Sequence, residues 1–447
     1  MTLNYINRIL MCAACVCLLS MSSNSEVSAQ ENVTDKFKFT FSNRLRIETW
    51  DNSVTLSKSA NAGTSYLRNR ISLGGQWMPD EIFELNVRLS HEFRKYLAPA
   101  QSDFHMNEIF IDQLNMKLKT GPYIDGVLTV GRQNINLGEG FIVMDGSPLD
   151  GSRSAYFNAV RYDWNMNKTN SLSLFYTYQP VTDKLPVING NDIDASAQGD
   201  GSWKLLEQTE AGGGLYYTGV FSNLNIQSYY VRKDYLEPDA QKGQHEYGLN
   251  TIGSRVNFTP AKPVSLTLEA AYQAGGMNTK AYGGYFYTDY RPSCDHVCPL
   301  NTITAGTIFL SGDDPATSGN EGWDPVFSRW PKWSETYVNT LIKEFGGRPA
   351  YWSNLISLYG SMKFKFDEQF RFSFDYHHMF SQYAGKGNGF IGGTGKSRGD
   401  LFIGKLMYTA NKSVSGTIII EHFIPGNYYS ENASSSTWAR MEMNYTL

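Results

Sequence analysis

The run FKFTFSNRLRIE at 37–48 decides the fold. Phe37, Phe39, Phe41, Leu45 and Ile47 fall on one side of a period of two, and Lys38, Thr40, Ser42, Arg44, Arg46 and Glu48 on the other. Such alternation describes a β-strand with one apolar and one charged face. Strands of soluble sandwiches usually run about five or six residues, whereas a tilted strand crossing a bilayer needs about nine to eleven. A run of this length points to a membrane.

The N-terminus supplies the compartment. Arg8 precedes the apolar run ILMCAACVCLLSM at 9–21, and a polar stretch then ends in VSA at 27–29. This is the pattern of a secretory signal, with cleavage predicted after Ala29, leaving 30–447 as a single barrel domain. The apolar run is shorter than the ~20 residues that a spanning helix requires. A lipoprotein signal is the competing reading, but Cys15 has Cys12 three places before it where a leucine is expected. Of five cysteines, Cys12, Cys15 and Cys17 would leave with the signal. Cys294 and Cys298, in CDHVC, would remain and are predicted to close a small disulfide loop. His296 between them adds one ligand at most, so no metal site and no cofactor are expected.

Composition narrows the class. The formal charge is −4, which gives no global field for nucleic acid. Mean hydropathy is −0.37, and no apolar run beyond the signal approaches helix-spanning length. The chain is rich in Tyr (28), Phe (25) and Gly (41), as expected of an outer-membrane barrel with aromatic girdles.

The alternation recurs near 37–49, 66–77, 82–94, 108–118, 126–134, 153–164, 171–179, 208–218, 223–232, 245–258, 264–274, 281–290, 302–311, 353–366, 370–380, 399–409, 414–423 and 436–447. Short turns such as MPDE (78–81), NMNKTN (165–170), TPAKP (259–263), DEQ (367–369) and NKS (411–413) alternate with longer polar segments, as periplasmic turns alternate with external loops. The prediction is an all-β, transmembrane, antiparallel up-and-down β-barrel of about eighteen strands. Alternation is weakest at 108–118, 208–218 and 281–311, and sixteen strands is the alternative count. The first strand begins within about ten residues of the expected cleavage point, which argues against a separate plug domain.

The last residues, WARMEMNYTL at 438–447, place Ala439, Met441, Met443, Tyr445 and Leu447 on one face. They resemble the C-terminal signal read by the barrel-assembly machinery, which usually ends in Phe. Between LTVGRQ and SRSAYFNAVRYDW, the glycine-rich NLGEGFIVMDGSPLDG is read as an external or inward-folded loop. Here the chain resembles the alginate export family of outer-membrane porins, through GRQ at 131–133 and SRSAYFNAVRY at 152–162. FLSGDDP at 309–315 and FSRWPKWSE at 327–335 resemble a second block of that family. The resemblance implies an eighteen-stranded barrel that exports an anionic polysaccharide. RSAYFNAV lacks the family's aspartate-glycine pair, which leaves the polymer's identity open.

Enzyme motifs fail on context. GGTGKSRG at 392–399 looks like a P-loop, but Phe390 stands where the first glycine belongs and strands flank it, not a helix. NGNDIDASAQGDG at 189–201 lacks the glycine and terminal glutamate of an EF-hand. His377 and His378 are adjacent in a strand and face opposite sides. A barrel-embedded phospholipase would need a serine beside the outward His378, and the sequence offers no such pairing.

Function is therefore sought on the lumen face. Its predicted cations are Arg44, Arg46, Arg68, Arg70, Arg88, Arg94, Arg132, Arg153, Arg161, Arg255, Lys363, Lys365, Arg371 and Arg440. They face Glu48, Glu84, Glu92, Asp163, Glu269, Asp375, Glu421 and Glu442. Most would brace the wall as salt bridges, while the clustered arginines of the first three strands could form a cationic constriction. The reading is an outer-membrane channel of a Gram-negative bacterium, passing anionic or polar carbohydrate by diffusion, without enzymatic activity. Its other expected partners are outer-membrane lipid and a periplasmic partner. A general or nutrient-uptake porin on the same fold is the alternative.

Overall fold

Every one of the eighteen alternating segments forms a strand in the computed structural model. It describes residues 36–447 except 53–55, 57–62, 99–105, 122–123, 146–155, 190–205, 207, 239–244, 294–298, 329–332, 336–342, 345–347, 350–352 and 385–391. The expected signal with Ala29, Arg153 and the Cys294–Cys298 pair lie outside the described residues. By its contacts the chain divides into residues 1–37 and 38–447, and the second unit is the barrel.

The barrel strands, numbered in chain order, are β1 (Phe37–Asp51), β2 (Thr64–Trp77), β3 (Phe83–Ala98), β4 (Met106–Thr120), β5 (Gly126–Gln133) and β6 (Phe157–Asn165). Then come β7 (Asn170–Gln179), β8 (Thr209–Val220), β9 (Leu224–Leu236), β10 (Tyr247–Ala261), β11 (Val264–Gly275) and β12 (Thr279–Tyr290). The last six are β13 (Leu300–Leu310), β14 (Leu355–Lys365), β15 (Phe370–Phe380), β16 (Ser397–Thr409), β17 (Val414–Pro425) and β18 (Ser436–Thr446). Each pairs antiparallel with its neighbour in sequence, and β1 closes on β18 from Ser42↔Thr446 to Asp51↔Thr437. The segments with the weakest alternation are full strands, so the count is eighteen and not sixteen.

The short turns owe their geometry to one side chain each. Asp80 Oδ1 accepts the N–H groups of Ile82 and Phe83, both at 2.8 Å. Asn167 takes Thr169 N at 2.9 Å, Asp367 takes Gln369 N and Phe370 N, and Asn411 takes Ser413 N and Val414 N. An Asx side chain that mimics the next backbone carbonyl reverses the chain without a long loop.

The period of two then sorts the faces. Leu73, Leu89, Leu268, Leu358, Met362 and Ile420 are exposed on the outside. Trp77–Phe83 and Phe41–Tyr445 contacts mark the turn end of the wall, and Tyr376–Phe402 and Tyr282–Phe309 the loop end. A closed sheet with an apolar outer belt leaves no unpaired edge for lipid, which is the condition for a β-structure to span a membrane. Among the described residues no helix is long and apolar enough to cross.

Candidate functional site: the charged lumen and its inward segments

Two external segments turn into the barrel, and they are the two glycine-containing blocks singled out in the sequence. Residues 134–145 follow β5, and residues 311–328 with 333–335 follow β13. They meet as a short parallel pair, Val143↔Phe327 and Met144↔Ser328. Ile135, Ile142, Val143, Val326 and Phe327 are fully buried, and Phe141 stacks on Trp323 with ring centroids 5.2 Å apart. The glycines allow the turn: Gly138 and Gly140 have φ of 59° and 79°, and a Cβ at Gly138 would strike the Tyr216 hydroxyl.

The wall of β9–β12 sews these segments down. Lys233 Nζ donates to Val326 O at 2.5 Å, Tyr235 OH to Asp324 Oδ2 at 2.6 Å, and Gln273 exchanges two hydrogen bonds with the Asp324 backbone. Glu139, at the tip of the first segment, pairs with Arg255 and accepts from Tyr287 OH at 2.7 Å and Tyr285 OH at 3.2 Å. Tyr285 and Tyr229 also donate to Glu269, at 2.6 and 3.0 Å. Of the two readings of the glycine-rich stretch after β5, an external or an inward-folded loop, residues 134–145 therefore follow the second.

Across the lumen stands the arginine wall. Arg46 pairs with Glu442, Arg70 with Glu92, Arg88 with Asp112 at 2.5 Å, and Arg68 with Glu48 at 3.7 Å. Arg440 meets Glu335 of the second inward segment, with Nη1–Oε1 at 3.0 Å. Ser334 OH and Glu335 N–H anchor the same segment on Glu421, each at 2.7 Å. Arg94 lies 4.7 Å from the centroid of the Tyr66 ring, Arg161 pairs with Asp163 at 2.8 Å, and Arg44 lies beside the cluster on β1. Arginines 44, 46, 68, 70, 88, 94 and 440 thus stand among the carboxylates 48, 92, 112, 335, 421 and 442, and most of these groups brace one another.

The cations on β14–β16 behave differently. Register places Lys363, Ser373 and Lys405 in one row, and Lys365, Arg371 and Met407 in the next. Lys365 pairs with Glu368 at 2.5 Å, whereas Lys363, Arg371 and Lys405 have no ion-pair partner within 4 Å among the described residues. All four line a cavity of about 660 Å³, walled by Tyr287, Tyr359 and Trp333 and reaching Glu139. Lys405 and Trp333 are additions that the sequence reading missed. Lys405 follows a glycine in a strand whose alternation was read for fold only, and Trp333 arrives from a loop.

Arg132 does not belong to the open lumen. Its register partner is Leu114, on the lipid side of β4, and Asp183 holds its guanidinium at 2.6 Å in a cluster that leaves it 3% exposed. The period of two, counted from Thr129, already puts residue 132 on the other face. The adjacent histidines separate as expected: His377 is buried and 3.1 Å from Ser357 Oγ, while His378 faces outward, 2.7 Å from Asp400. The GGTGKSRG stretch is the external connection into β16, where Arg398 is fully buried and donates to Asn354 O at 3.0 Å.

A closed eighteen-strand barrel with an apolar belt, a charged lumen and two segments folded into it has the architecture of an outer-membrane porin, and its place is the outer membrane of a Gram-negative bacterium. Among solved structures the chain is similar to Pseudomonas aeruginosa OccK7 (OpdD), with 12% identity, a TM-score of 0.56, and 92% of this chain and 98% of that chain covered. It is likewise similar to P. aeruginosa OccK5 (OpdH), at 13% and 0.54 with 92% and 98% covered, and to Acinetobacter baumannii OccAB3, at 12% and 0.54 with 92% and 99% covered. No protein-family model and no curated protein matches the chain. Of the resemblance to the alginate export family, the solved structures support the eighteen-strand outer-membrane porin fold and not the family itself. The segments folded into the barrel, 134–145 and 311–328, lie next to or within the blocks that suggested it.

Proposed function

We propose that the protein is a passive, solute-selective uptake channel for small anionic or polar molecules, and not an enzyme or a polymer exporter. The observation that carries this reading is the lumen itself. Residues 134–145 and 311–328 pack into it, and Lys363, Arg371 and Lys405 line the cavity that reaches Glu139 of the first segment. A constriction lined by cations raises the local concentration of anions, and its mixed carboxylates keep any one anion from being held tightly. Packed inward segments favour a small solute over a polysaccharide chain, and the similarity to the Occ chains supports the same choice. Outer-membrane lipid is the partner of the belt, and the alternating end of β18 suits the barrel-assembly machinery. The test is reversal potential in planar bilayers under a salt gradient. Anion preference that weakens as salt rises is expected, and cation preference or none would remove the proposal.

A further inference from the structure

On the external side β4 runs on past the strands that follow it. Leu114 stands opposite Arg132, so β4 from Gln113 up to Met106 continues past the end of β5. β6 starts at Phe157, opposite Gln133, and ends with β5. β7 ends at Gln179, level with Phe157, so of these four strands β4 alone continues on the external side. The chain that leaves β7 adds a short strand to this length of β4: Val187, Ile188 and Asn189 pair with Phe110, Ile109 and Glu108.

One residue joins the short strand to the wall. Arg132 Nη1 donates to the Ile111 carbonyl at 2.7 Å, just below the 108–110 pairing, and Nε donates to Asn158 of β6 at 3.1 Å. Nη1 and Nη2 donate to the two oxygens of Asp183 at 3.1 and 2.6 Å. The Tyr156 ring lies 3.8 Å from the guanidinium, and its hydroxyl donates to Asp183 at 2.7 Å. Leu185 N–H adds a fourth hydrogen bond to that carboxylate at 2.9 Å. A bidentate guanidinium fork with four converging donors is a strong, directional junction, and its loss leaves buried charge unpaired. Arg132 also immediately precedes Gln133, from which the constriction segment departs.

We infer that Arg132 and Asp183 form a latch that holds residues 180–189 as a removable stave of the wall, and that Arg132 thereby positions the inward segment carrying Glu139. Release opens the wall toward the outer leaflet and frees one end of the constriction. The effect on conductance rests on the channel reading, whereas the stave does not.

The experiment separates the two. In purified, detergent-folded protein, Ile109→Cys with Ile188→Cys places a register pair of cysteines across the seam, close enough to oxidise. Adding Asp183→Asn should leave the stave unlatched most of the time and slow disulfide closure at least about tenfold. In bilayers the same variant should show added open-level noise that disappears once the disulfide is closed and returns on reduction. Tyr156→Phe, which removes one donor and no charge, should show both effects more weakly if Asp183→Asn fails to fold. Unchanged closure kinetics in a folded variant, or noise that persists with the disulfide closed, overturns the inference. A wild-type protein that does not conduct removes the channel reading, and the closure kinetics still decide the stave.

Discussion

Neutralising Lys363 and Lys405 together, as Lys363→Gln with Lys405→Gln, should lower the channel's preference for anions by about fivefold at low salt. The two stand in one row with Ser373 between them, two strand spacings or about 10 Å apart, so an anion between their ammonium groups sits about 5 Å from each. At a water-like dielectric constant each charge contributes about 0.8 kcal/mol at that distance. Screening at 0.1 M salt, with a Debye length of about 10 Å, reduces the pair's total to about 1 kcal/mol, which is the fivefold change. At 1 M the length is about 3 Å and the effect falls below about twofold. The assay is reversal potential under a fixed concentration ratio at both ionic strengths. Because neither lysine has an ion-pair partner within 4 Å among the described residues, the change should leave the barrel's heat stability intact. Unchanged selectivity at 0.1 M, or an equal change at 1 M, would refute the assignment of these lysines to the anion path.

The paired arginines should respond in another way. Glu335→Gln should loosen the second inward segment from Arg440 at a cost of about 1–3 kcal/mol, seen as larger and noisier conductance with the barrel still resistant to detergent before boiling. Arg68→Gln with Arg70→Gln takes from Glu92 its ion pair with Arg70 and leaves Glu48 with Arg440 at 3.8 Å, and should lower the unfolding temperature more than it shifts selectivity. Cys294 and Cys298 are expected to be joined in protein taken from the native envelope, and two free thiols by mass spectrometry would reject that. The same spectra should place the mature N-terminus at Gln30.

The wall was legible because alternation and turn chemistry are local. FKFTFSNRLRIE carries its two faces within itself, and Asp80, Asn167, Asp367 and Asn411 each close a turn within three residues. The interior was not legible, because its decisive contacts are remote in sequence. Val143 meets Phe327, and Arg440 meets Glu335, only once the barrel has closed around them. Arg132 was misplaced for a related reason. A count of cations treats every strand arginine as lumen wall, whereas the short β5 and the returning segment at 187–189 create a demand for a guanidinium on the opposite face.

The external loops should answer acid with opposite signs. Burial alone would raise the Asp183 carboxyl, but the hydrogen bonds of Arg132 and Tyr156, the Arg132 charge and Leu185 N–H outweigh it and hold the group below the usual carboxylate range. Freed from the latch it would titrate near the ordinary value of about 3.9. Its contribution to stability is therefore complete above that pH and is lost as pH falls through the depressed value. Arg132 stays cationic throughout, so protonation of Asp183 alone breaks the pair. Asp313 runs the other way: burial raises it first, and Glu321 and Asp314 beside it raise it further. Its contribution is complete below the ordinary value and lost as pH rises through the raised one. Hydrogen exchange, corrected for intrinsic rates, should then show residues 180–189 loosening only below about pH 4, while residues 311–321 tighten over the same descent. Loosening of 311–321 in acid, or of 180–189 between neutral pH and pH 5, would contradict the placement of the two carboxyls.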